Sequence, residues 1–109
     1  KVVAVVGVLA DKDVEGIIRA LDPVVSEFVV TTSSSDRSID PDELASIVVA
    51  VAGADRVVVE HDLATALDEA RDLAGESEKG AVLVTGSITL VGDVIARAAA
   101  EGWKGEGTL

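Results

Sequence analysis

The sequence predicts an α/β domain in which a mostly parallel sheet carries helices on both faces. Four aliphatic runs alternate along the 109 residues with four segments of helical periodicity. Hydrophobic residues make up 49% of the chain, although it contains one Phe, one Trp and no Tyr. Strands that are buried on both faces are typically runs of Val, Ile and Leu, so this composition favours a sheet between two helical layers.

The first strand and helix are separated by a short charged segment. Residues 2–9 form a valine-rich run of strand length. Asp11, Lys12 and Asp13 then interrupt the run and supply a side chain that can cap a helix. The apolar residues that follow have the spacing of one helix face: Val14, Ile17, Ile18 and Leu21.

The second strand, residues 28–31, leads through a polar loop into the second helix. Residues 32–38 are mostly serine, threonine and charged. Asp40 followed by Pro41 is typical of a helix start, and Gly53 is typical of a helix end. The buried face of this helix is predicted from its spacing: Leu44, Ile47, Val48 and Val51.

The second half of the chain repeats the alternation. Residues 56–60 and 81–85 are the third and fourth strands, and Asp62 caps the third helix, whose apolar face is Leu63, Ala66, Leu67 and Ala70. Gly86 and Ser87 turn the chain into a last helix, for which the inward residues are predicted as Ile88, Val91, Ile95 and Ala98. Strand–helix alternation requires right-handed crossovers, so we expect a three-layer, Rossmann-like fold over residues 1–102, with 103–109 as tail or linker.

Charge and composition exclude several classes of partner. A net charge of −11 disfavours nucleic acid and anionic membrane surfaces, which require clustered Lys and Arg. The chain has no cysteine, and its longest apolar stretch, residues 2–10, is too short to span a membrane. We expect a cytoplasmic domain. Because the sequence begins directly on a strand without an initiator Met, we also expect it to be a fragment of a longer protein.

Ligands of a parallel sheet bind beyond the carboxyl ends of its strands, which selects four loops: 10–13, 31–37, 61–62 and 85–87. In the first loop, Lys12 is suited to a phosphate oxygen, and Asp11 or Asp13 to an ammonium group or a metal-bound water. The alternative is that an aspartate caps the helix and Lys12 extends into solvent.

The other three loops differ in what they offer. Gly86 and Ser87 precede a helix, where free backbone N–H groups and a hydroxyl suit an anion, or form an ordinary cap and turn. They are not a Walker A motif, because the required lysine is absent. Arg37 is suited to a carboxylate, or is simply solvated. His61 has no residues around it in sequence that suggest a catalytic or metal site.

Three segments resemble one family in order and separation. They are residues 7–14 (GVLADKDV), Thr31–Thr32 leading to Arg37 and residues 41–45 (PDELA), and residues 82–92 (VLVTGSITLVG). This combination resembles the C-terminal domain of bacterial folylpolyglutamate and dihydrofolate synthases, in the Mur ligase superfamily. Two positions depart from the family pattern, since Asp36 stands where a proline is usual and Thr89 where an aromatic is usual.

The resemblance implies a three-part ligase that joins glutamate to a folate or dihydropteroate carboxylate through an acyl phosphate. An upstream domain, which this chain lacks, would hold most of the ATP and Mg²⁺, so the fragment alone is expected to be inactive and to bind ATP weakly. The substrate-binding residues implied are Asp11, Lys12, Asp13, Arg37 and Ser87, with Asp11 and Lys12 also near the nucleotide. No catalytic residue or metal ligand is expected within the chain.

Two alternatives remain open from the residues. One is the corresponding domain of a cell-wall Mur ligase, which uses another amino acid and a nucleotide-linked acceptor. The other is a non-catalytic Rossmann-like module that binds a small anion or a partner protein. The Thr85-Gly86-Ser87 and Asp11-Lys12-Asp13 segments favour the folate branch over the cell-wall branch.

Overall fold

In the computed structural model, residues 1–76, 78–86 and 88–101 are described, and of residues 88 and 89 only the backbone. This part of the chain contains four strands: β1 (Val2–Val6), β2 (Glu27–Val30), β3 (Val57–Val59) and β4 (Ala81–Thr85). Its helices are α1 (Val14–Leu21), α2 (Pro41–Ala52), α3 (Leu63–Ala74) and α4 (Ile88–Ala100), with a 3-10 turn at Ala54–Arg56. None of these helices combines the length and the apolar character needed to cross a bilayer.

The strands form a parallel sheet in the order β3-β2-β1-β4. From β1 the chain steps outward to β2 and β3, then crosses back to place β4 on the other side of β1. The strand order therefore reverses between β1 and β4, where open α/β sheets bind their ligands. Val6 lies beside both Val30 of β2 and Thr85 of β4, so the carboxyl ends of these three strands lie at one level.

Aspartate side chains start three of the helices at the predicted positions. Asp13 accepts a hydrogen bond from the backbone N–H of Gly16, and Asp40 accepts from two N–H groups of the first turn of α2. Asp62 accepts from the N–H and the hydroxyl of Thr65. Each cap satisfies backbone donors that have no partner inside the helix. The predicted starts of α1, α2 and α3 are confirmed.

Two hydrophobic layers enclose the sheet, which confirms the predicted three-layer architecture. One layer lies between the sheet and α1 and α2 and contains Phe28, Ile18 and Leu44, all fully buried. The other lies between the sheet and α3 and α4, where Leu67 and Leu90 are buried. Each such side chain contributes about 1.5–3 kcal/mol relative to an exposed one, which is how aliphatic residues hold this fold together.

The predicted inward face of the last helix is wrong at Ile95, which is 50% exposed. The structure instead buries Leu90 and Val94 of α4, while Val91 is half-buried. α4 packs at the side of the sheet where β4 is the edge strand, so it covers only a narrow stripe. The side chain of Ile88 lies outside the described residues. The first strand is also shorter than predicted, since β1 ends at Val6 and Leu9 makes only an isolated antiparallel bridge to Ser38.

Candidate functional site

The start of α4 lies against the end of β1 at the point where the strand order reverses. Gly86 has a φ of +109°, and a Cβ built on it would lie 2.7 Å from the carbonyl oxygen of Gly7 and 3.0 Å from Val8 Cγ2. Gly7 in turn lies close to Thr31 at the end of β2 and to Leu90 of α4. This crowding brings the loops that follow β1, β2 and β4 into one group. Ser87 itself lies outside the described residues.

Two of the predicted site residues form an ion pair at the carboxyl end of the sheet. Arg37 Nη2 donates to Asp11 Oδ2 at 2.6 Å, and the two side chains are 65% and 57% exposed. The backbone joins the same loops, since the N–H of Ala10 donates to the carbonyl of Arg37 at 2.8 Å. The structure thus brings together residues that are 26 positions apart in the sequence and leaves the pair open to solvent.

The other two residues of the first loop have different environments. Asp13 uses one carboxylate oxygen, Oδ1, to cap α1 through the N–H of Gly16 at 3.1 Å. Lys12 is exposed, and its ammonium group makes no ion pair with residues 1–76, 78–86 or 88–101. Both placements agree with the alternative in which an aspartate caps the helix and Lys12 extends into solvent, and an exposed cation beside Asp11 is also compatible with a phosphate contact. The roles of both residues toward a ligand stay predictions.

A network of serines shapes the loop that carries Arg37. Ser33 Oγ and Ser38 Oγ share a hydrogen bond of 2.5 Å, and Ser33 is buried. The N–H and the hydroxyl of Ser34 both donate to the carboxylate of Asp93, at 2.8 and 3.0 Å. Asp93 was not predicted from the sequence. The available signal was its place as the single acidic residue of α4, three positions after Leu90 and so near the buried face of the helix.

The hydroxyl of Thr31 is a further polar group at this end of the sheet. Thr31 is fully buried, and its Oγ1 has no hydrogen-bond partner among the residues that the structure describes. A buried hydroxyl without a partner is costly. The backbone of Thr31 also packs closely on the end of β1, since a Cβ built on Gly7 would lie 3.1 Å from the Thr31 carbonyl oxygen.

The side chain of His61 pairs with the first turn of α2 and not with Asp11 or Arg37. Its Nε2 contacts Asp42 Oδ1 at 3.1 Å, which joins the loop before α3 to the first turn of α2. Within the described ranges, no three His, Asp or Glu side chains lie together as a metal ion would require. The charged groups of the first two loops at this end of the sheet include the Asp11–Arg37 ion pair and the exposed Lys12.

The hydrogen bond from Arg37 is the main reason why the pKa of the Asp11 carboxyl lies below its usual range. A depressed folded pKa contributes stability above the unfolded value and loses it as the pH falls through the folded value. Because both side chains are exposed, the ion pair contributes little to stability, and thermal unfolding will not detect it. An NMR titration of the Asp11 carboxyl carbon measures the shifted pKa directly.

We expect Arg37→Gln to move the Asp11 midpoint up toward the ordinary aspartate value of about 3.9. Arg19→Gln is the matched control, because Arg19 forms an exposed ion pair with Glu15 elsewhere on α1. This control should leave the midpoint of Asp11 where it is in the parent chain. Identical Asp11 midpoints in the Arg37→Gln and parent chains would mean that the ion pair does not form in solution.

Comparisons with known proteins agree with the motifs. Residues 1–88 match the family described as Mur ligase, glutamate ligase domain. The chain is 37% identical over 101 residues to the dihydrofolate synthase/folylpolyglutamate synthase of Mycobacterium tuberculosis, an alignment that covers 83% of this chain and 21% of that protein.

Solved structures agree as well. Mycobacterium tuberculosis folylpolyglutamate synthase complexed with ADP superposes with a TM-score of 0.82 at 35% identity, covering 88% of this chain and 23% of that one. A bifunctional folylpolyglutamate synthase/dihydrofolate synthase with Mn, AMPPNP and L-glutamate bound has a TM-score of 0.72 at 28% identity, covering 91% and 22%. The chain thus spans about a fifth of the length of the relatives that it matches.

Proposed function

Because this chain belongs to the Mur ligase family as a glutamate ligase domain, we propose that it works within a folylpolyglutamate or dihydrofolate synthase. Such an enzyme is an ATP-dependent ligase that forms an amide bond between glutamate and a folate or dihydropteroate carboxylate. The relatives and solved structures named above carry these activities in their names, which supports the folate branch over the cell-wall branch and over a non-catalytic module.

The single observation that carries this proposal is the convergence of charged loops at the reversal of strand order. Asp11 and Arg37 form an exposed pair there, and the Gly86 turn places the start of α4 beside the end of β1. A cation, a carboxylate and a helix N-terminus in one place suit an amino acid, which has both an ammonium group and carboxylates.

Glutamate is the substrate that these groups fit. Its carboxylates suit the Arg37 guanidinium and the loop of Gly86 and Ser87, while its amine suits Asp11. Arg37 engages Asp11 through one guanidinium nitrogen, so a substrate carboxylate can add to the pair or replace Asp11. The task of this domain is to hold the glutamate amine toward the activated acceptor, since positioning supplies much of the rate in such reactions.

Nucleotide and Mg²⁺ are assigned mainly to the rest of the longer enzyme. Two related structures are described with ADP and with AMPPNP and Mn. Lys12 and Asp11 are both exposed at the carboxyl end of the sheet, where the cation of Lys12 suits a nucleotide phosphate. The described residues offer no cluster that would hold a metal ion. ATP would phosphorylate the acceptor carboxylate. We propose that the ATP-binding domain belongs to the same polypeptide and that the enzyme is cytoplasmic.

Ser87 tests the proposal in an enzyme that carries this domain. Ser87→Ala removes a hydrogen bond to a charged group, worth about 1.5–3 kcal/mol, and should raise the KM for glutamate about ten- to a hundredfold. The KM for ATP should change little. The measurement is a ligase assay with dihydropteroate and with a reduced folate as acceptors.

Asp62→Ala is the control, because Asp62 caps α3 through the N–H of Thr65. It should lower stability by about 1 kcal/mol and leave the KM for glutamate unchanged. If Ser87→Ala behaves in the same way, Ser87 is only a helix cap. If the parent enzyme ligates no glutamate to either acceptor, the proposed function itself is wrong.

A further inference from the structure

Asp93 holds the loop of Arg37 against α4 through a two-point contact. Its Oδ2 accepts the backbone N–H of Ser34 at 2.8 Å and its Oδ1 accepts the Ser34 hydroxyl at 3.0 Å. The two residues are 59 positions apart: Ser34 lies in the loop between β2 and α2, and Asp93 lies within α4. Hydrogen bonds to an ionised acceptor are stronger than neutral ones, so this contact is a firm anchor for an otherwise polar loop.

From Ser34 the loop continues to Arg37 through local hydrogen bonds. The N–H of Ser35 donates to Ser33 Oγ at 3.3 Å, and the N–H of Arg37 donates to Ser35 Oγ at 3.2 Å. The carbonyl of Arg37 then accepts from Ala10. Anchoring Ser34 thus restricts the backbone from which the Arg37 guanidinium extends to Asp11.

We propose that Asp93 is a positioning residue for substrate binding, which fixes the Arg37 guanidinium at the carboxyl end of the sheet by anchoring Ser34 to α4. This inference rests on the proposed function of Arg37 as a carboxylate ligand. In this scheme Asp93 is assigned no substrate contact, and each of its carboxylate oxygens accepts one hydrogen bond from Ser34.

The placement of α4 makes the anchor specific. The helix begins after the Gly86 turn, which packs on Gly7 at the end of β1. Asp93 ties the first half of α4 to the Arg37 loop, and the hydrogen bond between Ala10 and Arg37 ties that loop to the Asp11 loop. An arginine side chain loses much rotamer freedom when a ligand binds. If the loop is already held in place, the entropy cost of binding glutamate is smaller.

The first test uses the 109-residue chain and needs no ligase activity. Asp93→Ala should release the loop, so the Asp11 titration midpoint should rise in the same direction as in Arg37→Gln. Asp93→Asn keeps an oxygen that can accept the Ser34 N–H, and its midpoint should stay closer to that of the parent chain. Asp36→Ala is the matched control, since it removes an exposed carboxylate of the same loop, and should not raise the midpoint.

The second test measures kinetics in the ligase that carries the domain. Asp93→Ala should raise the KM for glutamate about tenfold, with kcat and the KM for ATP within about twofold, because a displaced binding group weakens substrate binding. Asp93→Asn should recover most of the affinity, and Asp36→Ala should have less than a twofold effect.

The outcomes separate the two proposals. An Asp11 midpoint that is unchanged by Asp93→Ala overturns the positioning role, whatever the ligase does. An equal fall of kcat for all substrates, without a change in the KM for glutamate, overturns it as well. If the parent enzyme has no ligase activity, the proposed function is wrong, and so is glutamate as the ligand of Arg37. The titration of Asp11 still decides whether Asp93 positions Arg37.

Discussion

Replacing Gly86 by alanine is expected to destabilise the domain by about 3 kcal/mol, because the change meets two separate obstacles. The backbone φ of +109° is one that side-chain-bearing residues rarely adopt, and the new Cβ would lie 2.7 Å from the Gly7 carbonyl oxygen. Relief requires α4 to move away from the end of β1. For a domain of this size, the melting temperature should fall by roughly 12–24 °C, as measured by calorimetry.

Gly92→Ala provides a control of the same chemical change on the same helix. A Cβ at Gly92 would meet nothing within 4 Å, and the residue is interior to α4. Glycine inside a helix costs about 0.5–1 kcal/mol relative to alanine, so this variant should be more stable than the parent. We therefore expect Gly86→Ala to lower the stability of the domain and Gly92→Ala to raise it. A Gly86→Ala chain that melts within a degree or two of the parent would show that the close approach to Gly7 is not needed.

Replacing Arg56 by methionine should cost about 2–4 kcal/mol, because its guanidinium joins three elements at the amino end of the sheet. It donates to Asp22 Oδ1 at 2.6 Å and to the carbonyl of Val25 at 2.6 Å, with further bonds to Ser26 and Ala52. Its Cζ lies 5.7 Å from the centre of the Phe28 ring. Methionine keeps most of the apolar stem but leaves these carbonyls without their donor.

Arg19→Met is the matched control, since the Arg19–Glu15 pair is exposed and such pairs contribute at most about 0.5 kcal/mol. Arg56→Lys should restore less than half of the loss, because one ammonium group cannot replace the planar fork. Urea unfolding of the four chains makes the comparison. Since Arg56 lies at the opposite end of the sheet from Arg37, the KM for glutamate of the proposed ligase should not change. Equal unfolding free energies for Arg56→Met and Arg19→Met would contradict the structural role.

The local signals in the sequence were accurate where the chemistry is local. Asp40 and Asp62 cap their helices at the predicted residues, an aspartate of the segment 11–13 caps α1 as expected, and Gly53 ends α2 as predicted. The resemblance to the C-terminal domain of folylpolyglutamate and dihydrofolate synthases is confirmed by the family match over residues 1–88. Capping involves residues within four positions of each other, so it is visible without any knowledge of the fold.

Predictions were weaker where they depended on neighbours that are distant in sequence. Ile95 has the helical spacing of a buried residue but is half exposed, because α4 covers an edge strand. Arg56 was expected to be the first residue of the third strand, whereas it closes the 3-10 turn before β3 and contacts three elements. Asp93 was not singled out, since its partner Ser34 is 59 residues away.

By itself, the sequence determined the alternation of strands and helices, their caps, the parallel layering of the core and the family, because periodicity, capping and motif order are properties of short segments. Only the tertiary structure decided the strand order β3-β2-β1-β4, and with it the meeting of the loops after β1, β2 and β4. That order placed Arg37 on Asp11 and Asp93 on Ser34. Such contacts arise when crossovers bring separate segments to one edge of the sheet, so local sequence patterns cannot predict them.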